Sequence, residues 1–326
     1  MAAAGANFGE SAGWERVQWF GAPGSPNENH ATFGRDEWFE RSGAEHTATR
    51  SGVTLFDQSS FAHIMVQGPD ALALLQRLST NDVNVAVGRI VYMPWLNERG
   101  GMESDVTIAR TADEEFLVVT AAVQRTRDLA WLRLHAKGAG HVSVADVSSG
   151  YTTLSVMGPR SRELLERVSP ADFSNVAFPF ATAREIEIGY SLALAFRMSF
   201  VGELGWELHI PTEQTLGVYD ALMAGGADLG VGHAGYVALN TLRLDVLPGK
   251  GAARQPEARD CHERQISVTT ASTRVCESIR EGSQRVRNAK VPENVFNSSS
   301  RVSQTSQSSW LIPSAGKRRM DPYSRC

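Results

Sequence analysis

The first 245 residues of this 326-residue chain contain no cysteine, since Cys261, Cys276 and Cys326 all lie further along. A disulfide, a thiolate nucleophile and a zinc site built on cysteine are therefore excluded from this part of the chain. The sequence lacks any run of about 18 apolar residues, which excludes a membrane-spanning helix. Its N-terminus has neither a basic start nor an apolar stretch, so no secretory signal is expected. We expect a soluble protein with no membrane partner, and these absences do not assign a compartment.

Common nucleotide-binding and catalytic motifs are also missing. There is no GxGxxG after a strand, no GxxxxGK[ST] and no GxSxG, so nothing supports a phosphate cradle or a serine hydrolase. Four histidines are isolated and lack the spacing of metal ligands: His63, His135, His209 and His233. We expect each of them to be structural, and we predict no metal site.

The charge is divided unevenly along the chain. Residues 1–245 carry 18 Lys and Arg against 29 Asp and Glu, a net charge of −11, whereas residues 246–326 carry 14 against 7, a net charge of +7. The acidic part argues against nucleic acid as a partner. The basic part contains 13 Ser, few large apolar residues and no clear periodicity. Such a segment buries too little apolar area to offset its chain entropy, so we expect residues 246–326 to be disordered.

A strand–turn–helix pattern occurs twice, ninety residues apart. Residues 61–67 alternate like a strand, a Gly-Pro turn follows, and 70–79 has apolar residues at helical spacing. Comparison of 66–79 with 156–169 gives seven identities in fourteen positions. We therefore predict a body made of two related α/β halves, each with its own sheet.

The remaining periodic segments complete an α+β fold. Further strands are predicted at 104–110, 115–121, 142–147, 184–190, 192–200 and 206–210, and helices at 36–51, 124–137, 160–168, 212–228 and 235–245. Strands that pair with their neighbours in sequence, with two helices in each half, favour an α+β fold over a doubly wound parallel sheet. Residues 1–45 are rich in Trp and Phe, and we interpret them as an irregular leader that packs through its aromatic side chains.

Two glycine-bracketed acidic clusters precede strands. Gly100-Gly101 predicts a tight turn that places Glu103 and Asp105 on one face of the next strand. Solvated acids on a hairpin are one interpretation, and a carboxylate at a pocket mouth that stabilises an amine or iminium is the other. Glu203 lies in a similar cluster, where a hairpin is again the simpler interpretation. A functional Glu203 would accept hydrogen bonds from the ring N–H and exocyclic amino group of a heterocycle.

Arg243 lies on the last predicted helix of the regular part. A guanidinium there could bind a carboxylate through two hydrogen bonds. The simpler interpretation is a surface position or an ion pair within the chain.

Taken together, several segments resemble the aminomethyltransferase (glycine-cleavage T-protein) family. The similarity is greatest to the folate-binding region of sarcosine and dimethylglycine dehydrogenases and related FAD-dependent oxidoreductases. The segments are GVTLFDQSSFAHIMVQGPDALALLQRLSTNDVNVAVGRIVY, LNERGGMESD, VMGPRSRELL, VGELGWELHIP and HAGYVALNTLRLD, which occur in family order over about residues 46–245. GWERVQWF, within residues 1–45, resembles the segment that joins the flavin part to the folate part in those oxidoreductases.

The resemblance implies a function and site residues. The family binds tetrahydrofolate in a central channel and transfers a one-carbon unit to it from an iminium derived from an N-methyl amine. The resemblance assigns the catalytic carboxylate to Asp105 and a pterin-binding carboxylate to Glu203. It makes Tyr92, Leu96 and Phe180 walls of the channel, and it directs Arg243 to the glutamate end of folate.

The departures from the family pattern leave alternatives open. The oxidoreductases carry an FAD domain that is missing from this sequence, so FAD would belong to a flavoprotein domain or subunit acting as partner. The family also continues into a C-terminal barrel, where this chain has residues 246–326. Asn240 stands where aminomethyltransferases usually have an acidic residue. The expected function is a tetrahydrofolate-binding module for one-carbon transfer. The alternatives are a non-catalytic folate-binding or regulatory module, and a truncated fragment without independent activity.

Overall fold

The computed structural model describes residues 1–25 and 32–244. The expected disorder of residues 246–326 lies outside the described residues. Within the described ranges, the strands are β1 Ala6–Ser11, β2 Trp14–Phe20, β3 Thr54–Asp57, β4 Ala62–Gln67, β5 Ile90–Leu96, β6 Met102–Ala112, β7 Glu115–Thr120, β8 Ser143–Asp146, β9 Tyr151–Met157, β10 Ala183–Ile188, β11 Ser191–Phe196, β12 Gly205–Pro211 and β13 Gly232–His233. The helices are α1 Trp38–Ser51, α2 Ala71–Leu78, α3 Arg125–Ala136, α4 Ser161–Val168, α5 Thr215–Gly225 and α6 Tyr236–Leu244.

Two sheets form the centre of the fold. The first has the strand order β5-β6-β7-β4-β8, and the second has the order β10-β11-β12-β9-β3-β13. Neighbouring strands in both sheets are antiparallel, except that β13 runs parallel to β3. Strand β3 precedes the first repeat unit but pairs with β9 in the second sheet. The second sheet therefore includes a strand that comes before the first repeat unit in sequence, which the repeat pattern did not predict.

Each of the two repeated Gly-Pro turns requires glycine for a physical reason. Gly68 and Gly158 have φ angles of +122° and +126°. A Cβ on Gly68 would lie 2.2 Å from the His141 carbonyl oxygen, and one on Gly158 would lie 2.3 Å from the Gly52 carbonyl oxygen. Any side chain would collide with backbone at both positions. The turn thus lets the chain pass closely from β4 into α2, and again from β9 into α4.

Helices cover the outer faces of both sheets. Leu74 and Leu75 of α2 pack with Ile64 and Val66 of β4 in one apolar cluster. On the second sheet, a larger cluster joins α4 and α5 to β12 through Leu164, Leu165, Val218, Leu222, Trp206 and Leu208. The inner faces of the sheets meet through a third cluster, which includes Ile90, Leu117 and Phe196. The order of layers is therefore helix, sheet, sheet, helix.

A pair of buried histidines lies where the inner faces meet. His63 Nε2 of β4 is 2.9 Å from His209 Nδ1 of β12, and Thr153 Oγ1 lies 3.3 and 3.2 Å from these two atoms. Burial lowers the pKa of His63 to about 4, and burial with the neighbouring His63 lowers the pKa of His209 well below its usual value. Both rings are therefore neutral at physiological pH. The two histidines that are isolated in sequence form one contact between the halves.

Residues 1–45 are more regular than expected. Strands β1 and β2 form a hairpin with Trp14 opposite Ser11, and Val17 and Trp19 are buried. The prediction of an irregular leader was therefore wrong for residues 6–20. Its aromatic side chains are covered only in part, since Trp19 is buried while Phe33 is fully exposed.

A buried carboxylate fastens this hairpin to the body. Glu45 Oε1 of α1 accepts a hydrogen bond of 2.6 Å from the Phe20 amide, and its Oε2 accepts one of 2.9 Å from the Gly235 amide. Gly235 precedes α6, and a Cβ there would lie 2.2 Å from the Gln18 carbonyl oxygen. The hairpin, α1 and the start of α6 therefore form one packed unit.

Candidate functional site

The inner face of the β5–β6 pair carries the predicted catalytic carboxylate. Tyr92 pairs with Thr107, and Pro94 pairs with Asp105, so these four residues share one face of the sheet. The residues between them, including Met93 and Trp95, point to the opposite face and are buried beneath the helices. Asp105 is half-buried on the inner face, and strand alternation places Glu103 on the same face, as predicted.

Asp105 and Tyr92 form a hydrogen-bonded pair. The Tyr92 hydroxyl donates to Asp105 Oδ2 over 3.0 Å. Burial raises the pKa of Tyr92, and the charge and hydrogen bond of Asp105 raise it further. Tyr92 therefore stays protonated and remains a donor to the carboxylate.

Arg243 faces this pair from α6. Its guanidinium carbon lies 5.3 Å from the centre of the Phe200 ring, and its charge lowers the pKa of Tyr92 against the larger effects of burial and Asp105. Arg243 is exposed, and no carboxylate among residues 1–25 and 32–244 forms an ion pair with it, so the surface position of the simpler interpretation fits and the ion pair does not. The exposed arginine thus adds positive charge beside the Tyr92–Asp105 pair.

Glu203 is engaged by a buried arginine. Arg50 Nη1, at the end of α1, lies 2.9 Å from Glu203 Oε1, and the two side chains are 12% and 7% exposed. Arg50 also donates to the Val201 carbonyl over 2.8 Å and to the Leu242 carbonyl over 3.1 Å. This network joins α1, the segment before β12 and the end of α6. It gives Glu203 a structural partner, and its predicted role in ligand binding stays a prediction.

The two apolar wall candidates are set apart from these contacts. Leu96 ends β5 and is half-buried, next to an irregularity in the pairing with β6. Phe180 is half-buried shortly before β10, and its carbonyl accepts a hydrogen bond of 3.4 Å from Arg89 Nη1. A hydrogen bond joins Tyr92 to Asp105, and the charge of Arg243 acts on Tyr92, while the roles of Leu96 and Phe180 stay predictions.

A polar cluster on the inner face of the second sheet was not predicted. Glu207 of β12 lies directly opposite Ser155 of β9. Ser155 Oγ donates to Gln58 Oε1, while the Tyr236 hydroxyl of α6 lies 3.1 Å from Ser60 Oγ. The sequence signal was the alternation in WELHI, where every second residue is polar although β12 lies inside a sheet.

Helix α6 connects the two polar regions. Tyr236 and Arg243 are seven residues apart, which places them on one face of the helix about 10 Å apart along its axis. Tyr236 lies within electrostatic reach of Glu207, and Arg243 lies within reach of Tyr92. We call the region bounded by this face of α6, Tyr92 and Asp105, and Glu207 and Ser155 the inter-sheet groove.

Comparison with known proteins identifies the domain. The sequence model of the GCVT N-terminal domain matches residues 1–248, about three quarters of the chain. The chain belongs to this family. The structure of glycine cleavage system aminomethyltransferase T from Bartonella henselae is similar, with a TM-score of 0.61 and 26% identity over 74% of this chain and 59% of that one. This similarity confirms the predicted fold of two related α/β halves of the aminomethyltransferase type.

The relatives of this GCVT domain include an oxidase and dehydrogenases by name. 4-Methylaminobutanoate oxidase (formaldehyde-forming) of Paenarthrobacter nicotinovorans is 44% identical over 245 residues, which are 75% of this chain and 30% of that protein. Mitochondrial dimethylglycine dehydrogenase of Homo sapiens is 32% identical over 241 residues, 73% of this chain and 28% of that protein. The chain thus spans less than a third of these relatives.

An aminomethyltransferase is also among the relatives. The Halothermothrix orenii enzyme is 33% identical over 202 residues, 62% of this chain and 56% of that protein. The predicted resemblance to this enzyme and to the dehydrogenases is therefore confirmed. No helix in the described part of the GCVT domain is long and apolar enough to cross a membrane.

Proposed function

We propose that the GCVT domain, predicted at residues 46–245, binds tetrahydrofolate in the inter-sheet groove and serves one-carbon transfer from an iminium derived from an N-methyl amine. The Tyr92–Asp105 hydrogen bond, with Arg243 facing it, is the observation that carries this proposal. It joins a carboxylate, a hydroxyl and a cation in a domain whose relatives include an aminomethyltransferase.

The residues of the groove fit a reduced folate. Arg243 is exposed and suits the carboxylates at the glutamate end of the ligand. Asp105 suits an N–H donor or a developing positive charge. The buried Gln58 Nε2 has no hydrogen-bond partner among the described residues, which leaves a donor for a carbonyl oxygen. Both charge signs and an amide donor are therefore available to one ligand.

The residues of the chain would act by stabilising the charge of the reactant and by keeping the Asp105 carboxylate in one orientation. Tetrahydrofolate, when bound, supplies a nucleophilic nitrogen that accepts the one-carbon unit. Tyr92 fixes Asp105 through Oδ2, so the carboxylate keeps one orientation toward the groove. The Asp105 charge stabilises a cationic reactant by electrostatic attraction, which strengthens in a site from which water is excluded.

The names of the relatives support a proposal for the wider system. They include an oxidase and dehydrogenases of methylated amines, and this chain spans 28–30% of the two described above. We propose that a flavoprotein domain or subunit carries FAD and oxidises the amine, as in a sarcosine or dimethylglycine dehydrogenase-like system. The GCVT domain would then receive the amine-derived one-carbon donor.

A non-catalytic folate-binding or regulatory role is the second candidate. One relative is the mitochondrial pyruvate dehydrogenase phosphatase regulatory subunit of Mus musculus, 34% identical over 249 residues and 74% of this chain. This name is the observation that favours regulation. Binding without transfer by the unmutated protein, supplied with a donor, would support this candidate.

The variant Asp105→Asn tests the catalytic proposal. We expect tetrahydrofolate binding within a few-fold of the unmutated chain, because the amide keeps the size and the hydrogen bond from Tyr92. Formation of 5,10-methylenetetrahydrofolate should fall by about 10²-fold or more, because the negative charge is lost. Calorimetry measures binding, and a sarcosine-oxidising flavoprotein generates the donor for the transfer assay.

The matched control is Glu103→Gln on the same strand face. Glu103 Oε1 accepts a hydrogen bond of 2.7 Å from Asn97 at the hairpin, so both binding and transfer should stay unchanged. Equal transfer by D105N and the unmutated chain would refute the catalytic role of Asp105. No tetrahydrofolate binding by the unmutated chain would refute the proposed function as a whole.

A further inference from the structure

The part of β6 that carries Asp105 extends beyond one of its neighbouring strands. Pairing between β6 and β7 begins with Thr107 opposite Val119, so residues 102–106 pair with β5 alone among the described strands. Pro94 lies directly opposite Asp105 on β5 and has no N–H to donate. Backbone pairing therefore holds residues 102–106, which we call the β6 extension, from one side only.

A buried carboxylate joins the β6 extension to β7. Asp128, in the first turn of α3, is 1% exposed. Its Oδ2 accepts a hydrogen bond of 2.7 Å from the Ser104 hydroxyl in the extension and one of 2.6 Å from the Thr120 hydroxyl at the end of β7. Thr120 directly follows Val119, the last residue of β7 that pairs with β6. Asp128 therefore connects the end of β7 to the part of β6 that β7 does not reach.

The other polar contacts of this connection come from the start of the same helix. Arg127 Nε lies 3.4 Å from Asp128 Oδ1, and Gln124 Oε1 contacts the Ser104 hydroxyl. Helix α3 also packs on the outer face of the sheet through the fully buried Leu132. The helix that carries the carboxylate is therefore held against the sheet independently of Ser104.

Ser104 transmits this support to the residue that follows it. Consecutive residues of a strand point to opposite faces, so Ser104 points toward α3 while Asp105 points into the inter-sheet groove. Tyr92 lies opposite Thr107, where β6 is paired on both sides. The Tyr92–Asp105 hydrogen bond of 3.0 Å thus joins a position paired on both sides to one in the β6 extension. A shift of the extension would therefore move Asp105 relative to the groove.

We propose that Asp128 is a positioning residue for the one-carbon transfer: it binds the Ser104 hydroxyl and thereby fixes the part of β6 that presents Asp105 to the inter-sheet groove. Asp128 would touch neither the ligand nor the reacting atoms, because it lies between α3 and the outer face of the sheet. A displacement of about 1 Å in an active site can cost about 10²-fold in rate, so a strand end paired on one side needs this support. This inference rests on the proposed function, since it concerns the same reaction.

The variant Ser104→Ala tests the support by removing one hydroxyl. The hydroxyl is buried on the face opposite Asp105, so the groove keeps all of its side chains. We expect the rate constant for formation of 5,10-methylenetetrahydrofolate by the full chain to fall about tenfold or more, while tetrahydrofolate binding changes by less than about twofold. A sarcosine-oxidising flavoprotein generates the donor for the transfer assay, and calorimetry measures binding.

The matched control is Thr120→Val. It removes the other hydroxyl bound to the same carboxylate oxygen and keeps the shape of the side chain, but Thr120 belongs to β7 rather than to the β6 extension. Each variant loses one hydrogen bond to a buried carboxylate, so both should lower the melting temperature by a similar amount, about 5 °C. Only S104A should lower the transfer rate, and T120V should stay within about twofold of the unmutated chain.

Two further measurements test whether Asp128 acts through Ser104. The variant Asp128→Ala should transfer as slowly as S104A, and the double variant should be no slower than either single variant. Asp128→Asn keeps an acceptor oxygen for the two hydroxyls and should recover most of the rate. Hydrogen exchange in the full chain without ligand should be faster in residues 102–106 for S104A and unchanged there for T120V.

The outcomes separate this inference from the proposed function. An unchanged transfer rate in S104A would overturn the positioning role and leave the folate proposal standing. Equal losses of rate in S104A and T120V would also overturn it, because lower stability alone would then explain both. Unchanged hydrogen exchange of residues 102–106 in S104A would overturn the connection through β6. Absence of transfer by the unmutated chain would overturn both proposals.

Discussion

The stability of the GCVT domain should depend on pH through Glu45. This carboxylate is 7% exposed and joins the N-terminal hairpin to α6 through the amides of Phe20 and Gly235. Burial raises its pKa from 4.5 to about 7, although both hydrogen bonds lower it. The folded state therefore binds a proton more tightly than the unfolded state. The stabilisation is fully present below about pH 4.5 and is lost as the pH rises through 7.

The magnitude follows from the size of the shift. A difference of about 2.5 pKa units corresponds to about 3 kcal/mol of unfolding free energy. Glu45→Gln removes the titration but also removes one acceptor, so its absolute stability depends on two opposing effects. The pH dependence isolates the first effect. The stability advantage of the unmutated chain over E45Q should shrink by about 3 kcal/mol between pH 4 and pH 8.

Urea unfolding at several pH values measures this difference. Other titrating groups, including those beyond residue 244, cancel when the two curves are subtracted. The control is Glu40→Gln on the same helix, where an exposed ion pair of 3.0 Å with Arg35 contributes little. Its difference curve should be flat within about 0.5 kcal/mol. Parallel curves for the unmutated chain and E45Q would refute the argument that burial dominates at Glu45.

Two further predictions concern the packing around α1 and α6. Gly235→Ala should lower the melting temperature markedly, because its Cβ would lie 2.2 Å from the Gln18 carbonyl oxygen. Gly217→Ala should instead raise the unfolding free energy by about 0.5–1 kcal/mol, because nothing lies within 4 Å of its Cβ and alanine favours the helix. Equal effects of the two changes would contradict the predicted close contact. Arg50→Met should cost about 3–5 kcal/mol in chemical unfolding, because it leaves Glu203 charged and buried. A loss below about 1 kcal/mol would mean that water reaches Glu203.

The repeat pattern predicted much of the fold because it depends on local rules. Gly68 and Gly158 are required by positive φ and by close backbone contact, and the apolar periodicity around them predicted β4, α2, β9 and α4. The β1–β2 hairpin was missed, although the glycine at position 13 is a turn signal in the sequence. Ala12 and Gly13 have φ angles of +54° and +80°, which is the geometry of a two-residue hairpin turn. Its strands are short, and their buried positions appear only when α1 and α6 are in place.

The candidate site was predictable to a smaller degree. The position of Asp105 followed from the Gly-Gly turn and from strand alternation, and Tyr92 was predicted through family resemblance. Neither rule shows that Glu203 is paired with Arg50, because the two residues are 153 positions apart in sequence. The partner of a side chain depends on which elements pack together, and a pattern within one element contains no information on that.

The amino-acid sequence by itself determined the family, the two α/β units and the acidic residues available for chemistry, because periodicity and turn chemistry act over a few neighbouring residues. Only the tertiary structure decided the surroundings of those acids. Asp105 receives a hydrogen bond from Tyr92, Glu203 is paired with Arg50, and the half-buried Glu207 has no hydrogen bond or ion pair among the described residues. Burial and charge pairing arise between distant segments, so the environment of each carboxylate is settled only when the two sheets and α6 come together.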